Sequence, residues 1–168
     1  MNEKLYKLGI DIGSTTVKIA ILDEQDNLIF SDYERHFANI QETLSNLLHK
    51  AFDSTGEIMV SPMITGSGGL TLAKHLGIDF VQEVIAVSTA LTHYAPQTDV
   101  AIELGGEDAK IIYFENGNVE QRMNGICAGG TGSFIDQMAS LLQTDASGLN
   151  EYAKNYKAIY PIAARCGV

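Results

Sequence analysis

The sequence predicts an α/β fold built as two lobes, residues 1–97 and 98–168, and three features carry that reading. The first is an internal repeat. Ile10-Asp11-Ile12-Gly13-Ser14-Thr15-Thr16-Val17-Lys18 returns in altered form 92 residues later as Ile102-Glu103-Leu104-Gly105-Gly106-Glu107-Asp108-Ala109-Lys110. In both copies an apolar strand meets an acid, turns through glycine and polar residues, and enters a second apolar strand with a lysine seven residues past the acid. The second feature is that strand-like runs are interleaved with segments of helical periodicity. The third is Asn116-Gly117, a strong hairpin signal in the second lobe. A chain of 168 residues with 45% hydrophobic content is long enough for one ordinary core, or for two small lobes around a cleft.

The elements follow in order. Residues 4–12, 16–23 and 27–34 read as an antiparallel meander, with Asp26-Asn27 as a tight turn. Asn39 is expected to cap a helix with Glu42 placed for a capping box, its apolar stripe being Ile40, Leu44, Leu47, Leu48, Ala51 and Phe52. Residues 58–65 read as a strand running into the glycine turn Gly66-Ser67-Gly68-Gly69, and a short helix then reaches His75 and ends at Gly77. Val84 to Tyr94 reads as helix stopping before Pro96. The second lobe opens with the strand Val100 to Leu104, and Lys110–Glu115 and Val119–Met123 flank the Asn116-Gly117 turn. A helix with Phe134, Ile135, Met138, Leu141 and Leu142 on one face follows Gly132, and another lies near Ser147 to Tyr156. The elements that would complete the second sheet are missing, which suggests a piece of a longer polypeptide with apolar surface left uncovered.

The chemistry of the repeat is that of an anion site. Asp11, among Tyr6, Leu8, Ile10 and Ile12, is expected to end a buried strand with its carboxylate facing a cleft. Gly13 and Gly106 let backbone amides approach an anion, and consecutive amides in a turn form a concave site for one. Ser14, Thr15 and Thr16 add hydroxyl donors, and Lys18 adds a point charge suited to phosphate. A carboxylate beside phosphates implies Mg2+, held directly or through water. Two such turns facing each other make a nucleotide clamp. One copy alone is equally an ordinary hairpin with a glycine turn; the shared internal spacing favours the clamp. The P-loop and G-x-G-x-x-G patterns are absent from the sequence.

The formal charge of −10 argues against a nucleic-acid partner, since a phosphate backbone needs a basic face. No apolar run approaches the length that crosses a bilayer and no signal segment is visible at the N-terminus, so a cytoplasmic protein without a membrane partner is expected. There Cys127 and Cys166 are not expected to form a structural disulfide. Two cysteines also cannot fill a tetrahedral metal site unless another chain supplies the rest; ordinary buried thiols remain open. His36, His49, His75 and His93 read as surface or helix-edge residues, and Met59, Met63, Met123 and Met138 as core filler.

The two turns resemble the phosphate-1 and phosphate-2 motifs of the superfamily containing actin, Hsp70 and the sugar kinases, whose lobes share a ribonuclease-H-like fold. Asn124-Gly125-Ile126-Cys127-Ala128-Gly129-Gly130-Thr131-Gly132-Ser133-Phe134 and Ala164-Arg165-Cys166-Gly167-Val168 resemble the two cysteine motifs of the BadF/BadG/BcrA/BcrD ATPase family. That family includes activators of 2-hydroxyacyl-CoA dehydratases. The resemblance implies a ribonuclease-H-like first lobe that is near complete and a truncated second lobe carrying the cysteines, with the superfamily's adenosine motif beyond residue 168. It also implies an ATPase acting as a homodimer around one 4Fe-4S cluster, with Cys127 and Cys166 of each copy as its ligands. ATP and Mg2+ would be its other cofactors, and the electron would pass to a 2-hydroxyacyl-CoA dehydratase or reductase-like partner. Gly13, Ser14, Thr15, Thr16 and Lys18 would hold phosphates, together with Gly105, Gly106, Glu107 and Asp108. Asp11 and Glu103 would position Mg2+ or the attacking water in the catalytic step. The family more often shows Asp-Ile-Gly-Gly-Gln-Asp where this chain has Glu103 to Asp108, so a longer acid and an extra carboxylate, Glu107, stand near the phosphates. A sugar-kinase-like phosphotransferase and a non-catalytic nucleotide-sensing module are the alternatives on the same lobes.

Overall fold

The computed structural model describes residues 4–115, 117–124 and 131–159. The chain divides into two compact units, Met1–Pro96 and Gln97–Val168. In the first, β1 (Leu5–Ile12), β2 (Thr16–Leu22) and β3 (Leu28–Arg35) form the meander, followed by α1 (Ile40–Thr55), β4 (Met59–Thr65), α2 (Gly69–Leu76), the two-residue β5 (Asp79–Phe80) and α3 (Glu83–Tyr94). The sheet order is β3-β2-β1-β4-β5, with β4 and β5 parallel to β1. Alternation along the strands sorts the side chains onto two faces. Leu8, Ile10, Ile12, Val17, Ile19 and Ile21 pack with Leu44, Leu47 and Ala51 of α1 and Ala73 of α2 to form the core. The other face, with α3, bounds a groove of about 1010 Å³ that runs from Asp11 and Lys18 to Lys7, Asp26 and Tyr94.

Several expectations change. The stripe of α1 is narrower than its periodicity suggests: Leu48 and Phe52 are exposed, while Thr43 is buried with its hydroxyl donating to the Asn39 carbonyl at 2.9 Å. Asn39 makes no side-chain bond to the helix backbone; its amide donates to the Glu42 carboxylate instead. The β2–β3 turn spans Asp23 to Asn27, because the Asp23 carboxylate gathers the Gln25 and Asn27 amides and Asp26 adopts a φ of 64°. The two residues of β5 carried no strand signal of their own. Met59, Met63 and Met123 are exposed and not core filler. His36 is buried and not a surface residue, at 8% exposure.

In the second unit β6 (Val100–Leu104), β7 (Ala109–Glu115) and β8 (Asn118–Met123) make an antiparallel sheet in the order β6-β7-β8, followed by α4 (Gly132–Leu141) and α5 (Ala146–Ala153). Asp145 caps α5 by accepting the Gly148 amide at 2.8 Å. Ile112 and Ala139 are buried, but Val100, Ile102 and Leu104 are exposed along one side of β6, as are Leu141 at the end of α4 and Leu142 just beyond it. Among the described residues no helix is long and apolar enough to cross a membrane.

Candidate functional site: two equivalent turns

The sequence repeat is a repeat of geometry. In the first turn the Gly13 amide donates to the Thr16 carbonyl at 2.9 Å, and Asp11 lies opposite Lys18 across the β1–β2 ladder. In the second the Gly105 amide donates to the Asp108 carbonyl at 2.9 Å, and Glu103 lies opposite Lys110 across β6–β7. The seven-residue spacing of acid and lysine is therefore a cross-strand pairing around a short turn. Lys18 Nζ sits 2.7 Å from Asp11 Oδ2. Lys110 Nζ sits 3.3 Å from Glu103 Oε1 and 3.2 Å from Asp108 Oδ2.

The two lysines differ in setting. Lys18 is half-exposed, whereas Lys110 is buried, at 7% exposure, between its two carboxylates. A charge removed from water needs such partners, so Lys110 stabilises the second turn from beneath. Glu107 is exposed at that turn.

Each acid leaves one oxygen unused at the same place in the repeat. Asp11 Oδ1 and Glu103 Oε2 are buried atoms with no hydrogen-bond partner among the described residues, and so is the hydroxyl of Thr65, which pairs with Asp11 across β1–β4. Buried acceptors without partners cost free energy, and their coincidence at equivalent carboxylates fits a ligand that supplies what is missing. A Mg2+ ion or its water shell suits hard oxygen donors of this kind. Among the described residues no group of three or more acids, histidines or cysteines is poised to hold an ion unaided, so phosphate and water oxygens would complete the coordination. Cys127 and Cys166 lie outside the described residues, as do Asn116 and residues 125–130.

Each turn is also backed by a glycine segment that opens a helix. Gly68 N–H donates to the Ile12 carbonyl at 2.9 Å ahead of α2, and Gly132 N–H donates to the Gly105 carbonyl at 2.7 Å at the start of α4. Gly66 has a φ of 96°, and a Cβ there would lie 2.5 Å from Asp11 Oδ1. The hydroxyls of Thr131 and Ser133 both donate to the Gly106 carbonyl, Thr131 at 3.2 Å, and Glu83 Oε1 accepts the Ser67 amide at 3.0 Å. The sequence marked Gly66 to Gly69 as a glycine turn and Thr131 to Ser133 as part of a cysteine motif, but it assigned none of them, nor Glu83, a role in supporting the two turns. The signal existed, since Gly66-Ser67-Gly68-Gly69 and Gly129-Gly130-Thr131-Gly132 each precede a helix and extend the repeat.

The profile of the BadF/BadG/BcrA/BcrD ATPase family matches residues 8–168, almost the whole chain. The chain belongs to this ATPase family. Among curated BadF/BadG/BcrA/BcrD relatives, the 2-hydroxyisocaproyl-CoA dehydratase activator of Clostridioides difficile is 28% identical over 169 residues, covering 98% of this chain and 62% of the relative. The (R)-2-hydroxyglutaryl-CoA dehydratase activating ATPase of Acidaminococcus fermentans is 31% identical over 173 residues, covering 98% and 64%. This chain thus spans less than two thirds of the length of either. The crystal structure of the Acidaminococcus fermentans (R)-2-hydroxyglutaryl-CoA dehydratase component A superposes with a TM-score of 0.82 at 26% identity over 96% of this chain and 63% of that one. The activator of the 2-hydroxyisocaproyl-CoA dehydratase from Clostridium difficile, solved with bound ADPNP, gives 0.81 at 28% identity over 96% and 61%. The α/β fold of the actin and Hsp70 type expected from the turns is therefore the fold of this family member.

Proposed function

We propose that this chain is the nucleotide-binding part of an ATP-dependent activator that drives low-potential electron transfer to a 2-hydroxyacyl-CoA dehydratase or a reductase-like partner. The observation that carries the reading is the pair of equivalent turns, each entered from an acid with one buried oxygen that has no partner among the described residues, in a member of an ATPase family. Gly13, Ser14, Thr15, Thr16 and Lys18 hold phosphate oxygens, and so do the amides of Gly105 and Gly106 with Glu107 and Asp108 at the edge of their turn. Asp11 and Glu103 orient Mg2+ or the attacking water. Positioning and charge neutralisation of this kind account for most of the catalysis in phosphoryl transfer. The electron comes from a 4Fe-4S cluster shared by two copies, two thiolates from each, Cys127 and Cys166, supplying the four ligands a cubane needs.

The test is anaerobic reconstitution of the chain with iron and sulfide, reading iron per subunit, mass in solution and Mg2+-dependent ATP binding. The reading expects about two irons per chain in a dimer, lost in Cys127→Ser and Cys166→Ser. A variant that keeps its full iron content overturns the ligand assignment. A second reading has one observation in its favour: Lys110 is already engaged by Glu103 and Asp108, which suits a turn that binds nucleotide without cleaving it. ATP binding with no measurable ADP release in the presence of the partner would select it.

A further inference from the structure

His36 stands in the loop between β3 and α1, and it faces the first turn. Its backbone N–H donates to the Thr15 carbonyl at 3.1 Å. Its ring Nε2 lies 3.2 Å from the Gly13 carbonyl, and its Nδ1 lies 3.0 Å from the Ala38 amide nitrogen. A backbone N–H can only donate and a carbonyl can only accept, so the two contacts favour one tautomer: Nδ1 carries the lone pair and Nε2 carries the proton. The loop is folded around the ring. Phe37 and Ala38 have φ of 43° and 67°, a region sparsely populated by residues with a Cβ, although Phe37 itself is 83% exposed and gains no packing from it. What that backbone achieves is the delivery of the Ala38 amide to Nδ1.

We propose that His36 is the positioning residue of the phosphate-binding turn. The inference rests on the reading of that turn as a nucleotide site. The Gly13–Ser14 peptide is trans, so its carbonyl and the Ser14 N–H point in opposite directions. By holding the Gly13 carbonyl on its own side, Nε2–H turns the Ser14 N–H to the far side, where it faces the anion. The Gly13 amide is closed onto Thr16, which pins the turn at its other end. His36 therefore acts on the ligand through one peptide plane and does not touch it.

The two amide replacements separate this role from simple filling of space. Glutamine extends its NH2 group to the place of Nε2 and keeps the bond to Gly13; asparagine reaches only the place of Nδ1 and accepts from Ala38. With Mg2+-ATP as the probe, His36→Gln is expected to bind within about threefold of wild type. His36→Asn is expected to bind about tenfold more weakly, the upper end of what one net hydrogen bond is worth. If His36→Asn binds like wild type, or if both variants fall together, the positioning role is wrong. A wild-type protein that binds no nucleotide overturns the functional reading, and the proposal with it. Independently of nucleotide, 15N NMR of the ring at neutral pH is expected to report the Nε2–H tautomer; an Nδ1–H or doubly protonated ring overturns the assignment.

Discussion

Replacing Gly66 with alanine probes the close approach that shapes the first turn. The new Cβ would stand 2.5 Å from Asp11 Oδ1 and closer still to the Ile12 carbonyl. Neither neighbour can yield easily, because both belong to β1, which is bonded to β2 on one side and β4 on the other. Gly77→Ala provides the control. That glycine also has positive φ, 66°, but none of the described residues lies within 4 Å of the position a Cβ would take. The control therefore carries only the cost of a left-handed L-residue, about 1–2 kcal/mol. Gly66→Ala carries that cost plus about 1–3 kcal/mol for the displacement that relieves the overlap. The sum, about 2–5 kcal/mol, is a large share of a typical stability of about 5–15 kcal/mol. Thermal unfolding followed by circular dichroism, at about 4–8 °C per kcal/mol for a unit of this size, is expected to place Gly66→Ala well below Gly77→Ala. Equal midpoints for the two variants would refute the steric argument. A destabilised Gly66→Ala with unchanged Mg2+-ATP affinity would separate the glycine from the phosphate site.

Other outcomes follow from the same geometry. Lys110→Met leaves Glu103 and Asp108 facing each other without their shared cation and is expected to lower stability by about 1–3 kcal/mol. Lys18→Met, at the half-exposed equivalent, costs less than about 1 kcal/mol, which paired denaturation curves would check. Thr131→Val keeps the buried shape but removes one donor to Gly106, an expected cost of about 1 kcal/mol readable in the same assay. The exposed Lys50 lies 2.8 Å from Asp32 and 2.6 Å from Glu34; the Asp32 bond, then the Glu34 bond, push the Lys50 pKa up to about 12, and the Lys50 bond holds Asp32 below its ordinary value. A depressed carboxylate stabilises the fold above its unfolded pKa and loses that contribution as pH falls through the folded value. A raised lysine stabilises below its unfolded pKa and loses its contribution as pH rises past about 12. The difference in melting temperature between wild type and Lys50→Met is therefore expected to be flat around neutrality and to begin to shrink as pH falls below about 4; a difference that grows as pH falls would contradict the pairing.

What was legible in the sequence was whatever depends on spacing along one strand pair or one helix. The acid and lysine seven residues apart announced each turn because a short hairpin brings those two positions opposite one another. The residues that support the turns were harder to read, since they arrive from other elements. His36 looks like a hydrophilic residue at a strand end until the loop after β3 folds it against Gly13. Thr65 looks like an ordinary strand residue until β4 sets it beside Asp11. Leu48 and Phe52 fit the periodicity of α1, but the sheet reaches only as far as Leu44, Leu47 and Ala51, and no local pattern states how wide a neighbour will be.

The second turn has a mechanical consequence. Asn124 and Ala109 are bonded both ways, Asn124 N–H to the Ala109 carbonyl at 2.9 Å and Ala109 N–H to the Asn124 side chain at 2.8 Å. Thr131, Gly132 and Ser133 are bonded to Gly105 and Gly106. The residue before the segment 125–130 and the residues after it are thus mounted on the same short stretch of backbone. Any displacement of residues 105–109 must either break these bonds or carry both mounts with it, so Asn124 and Thr131 to Ser133 share one base with the loop that bears Glu107 and Asp108.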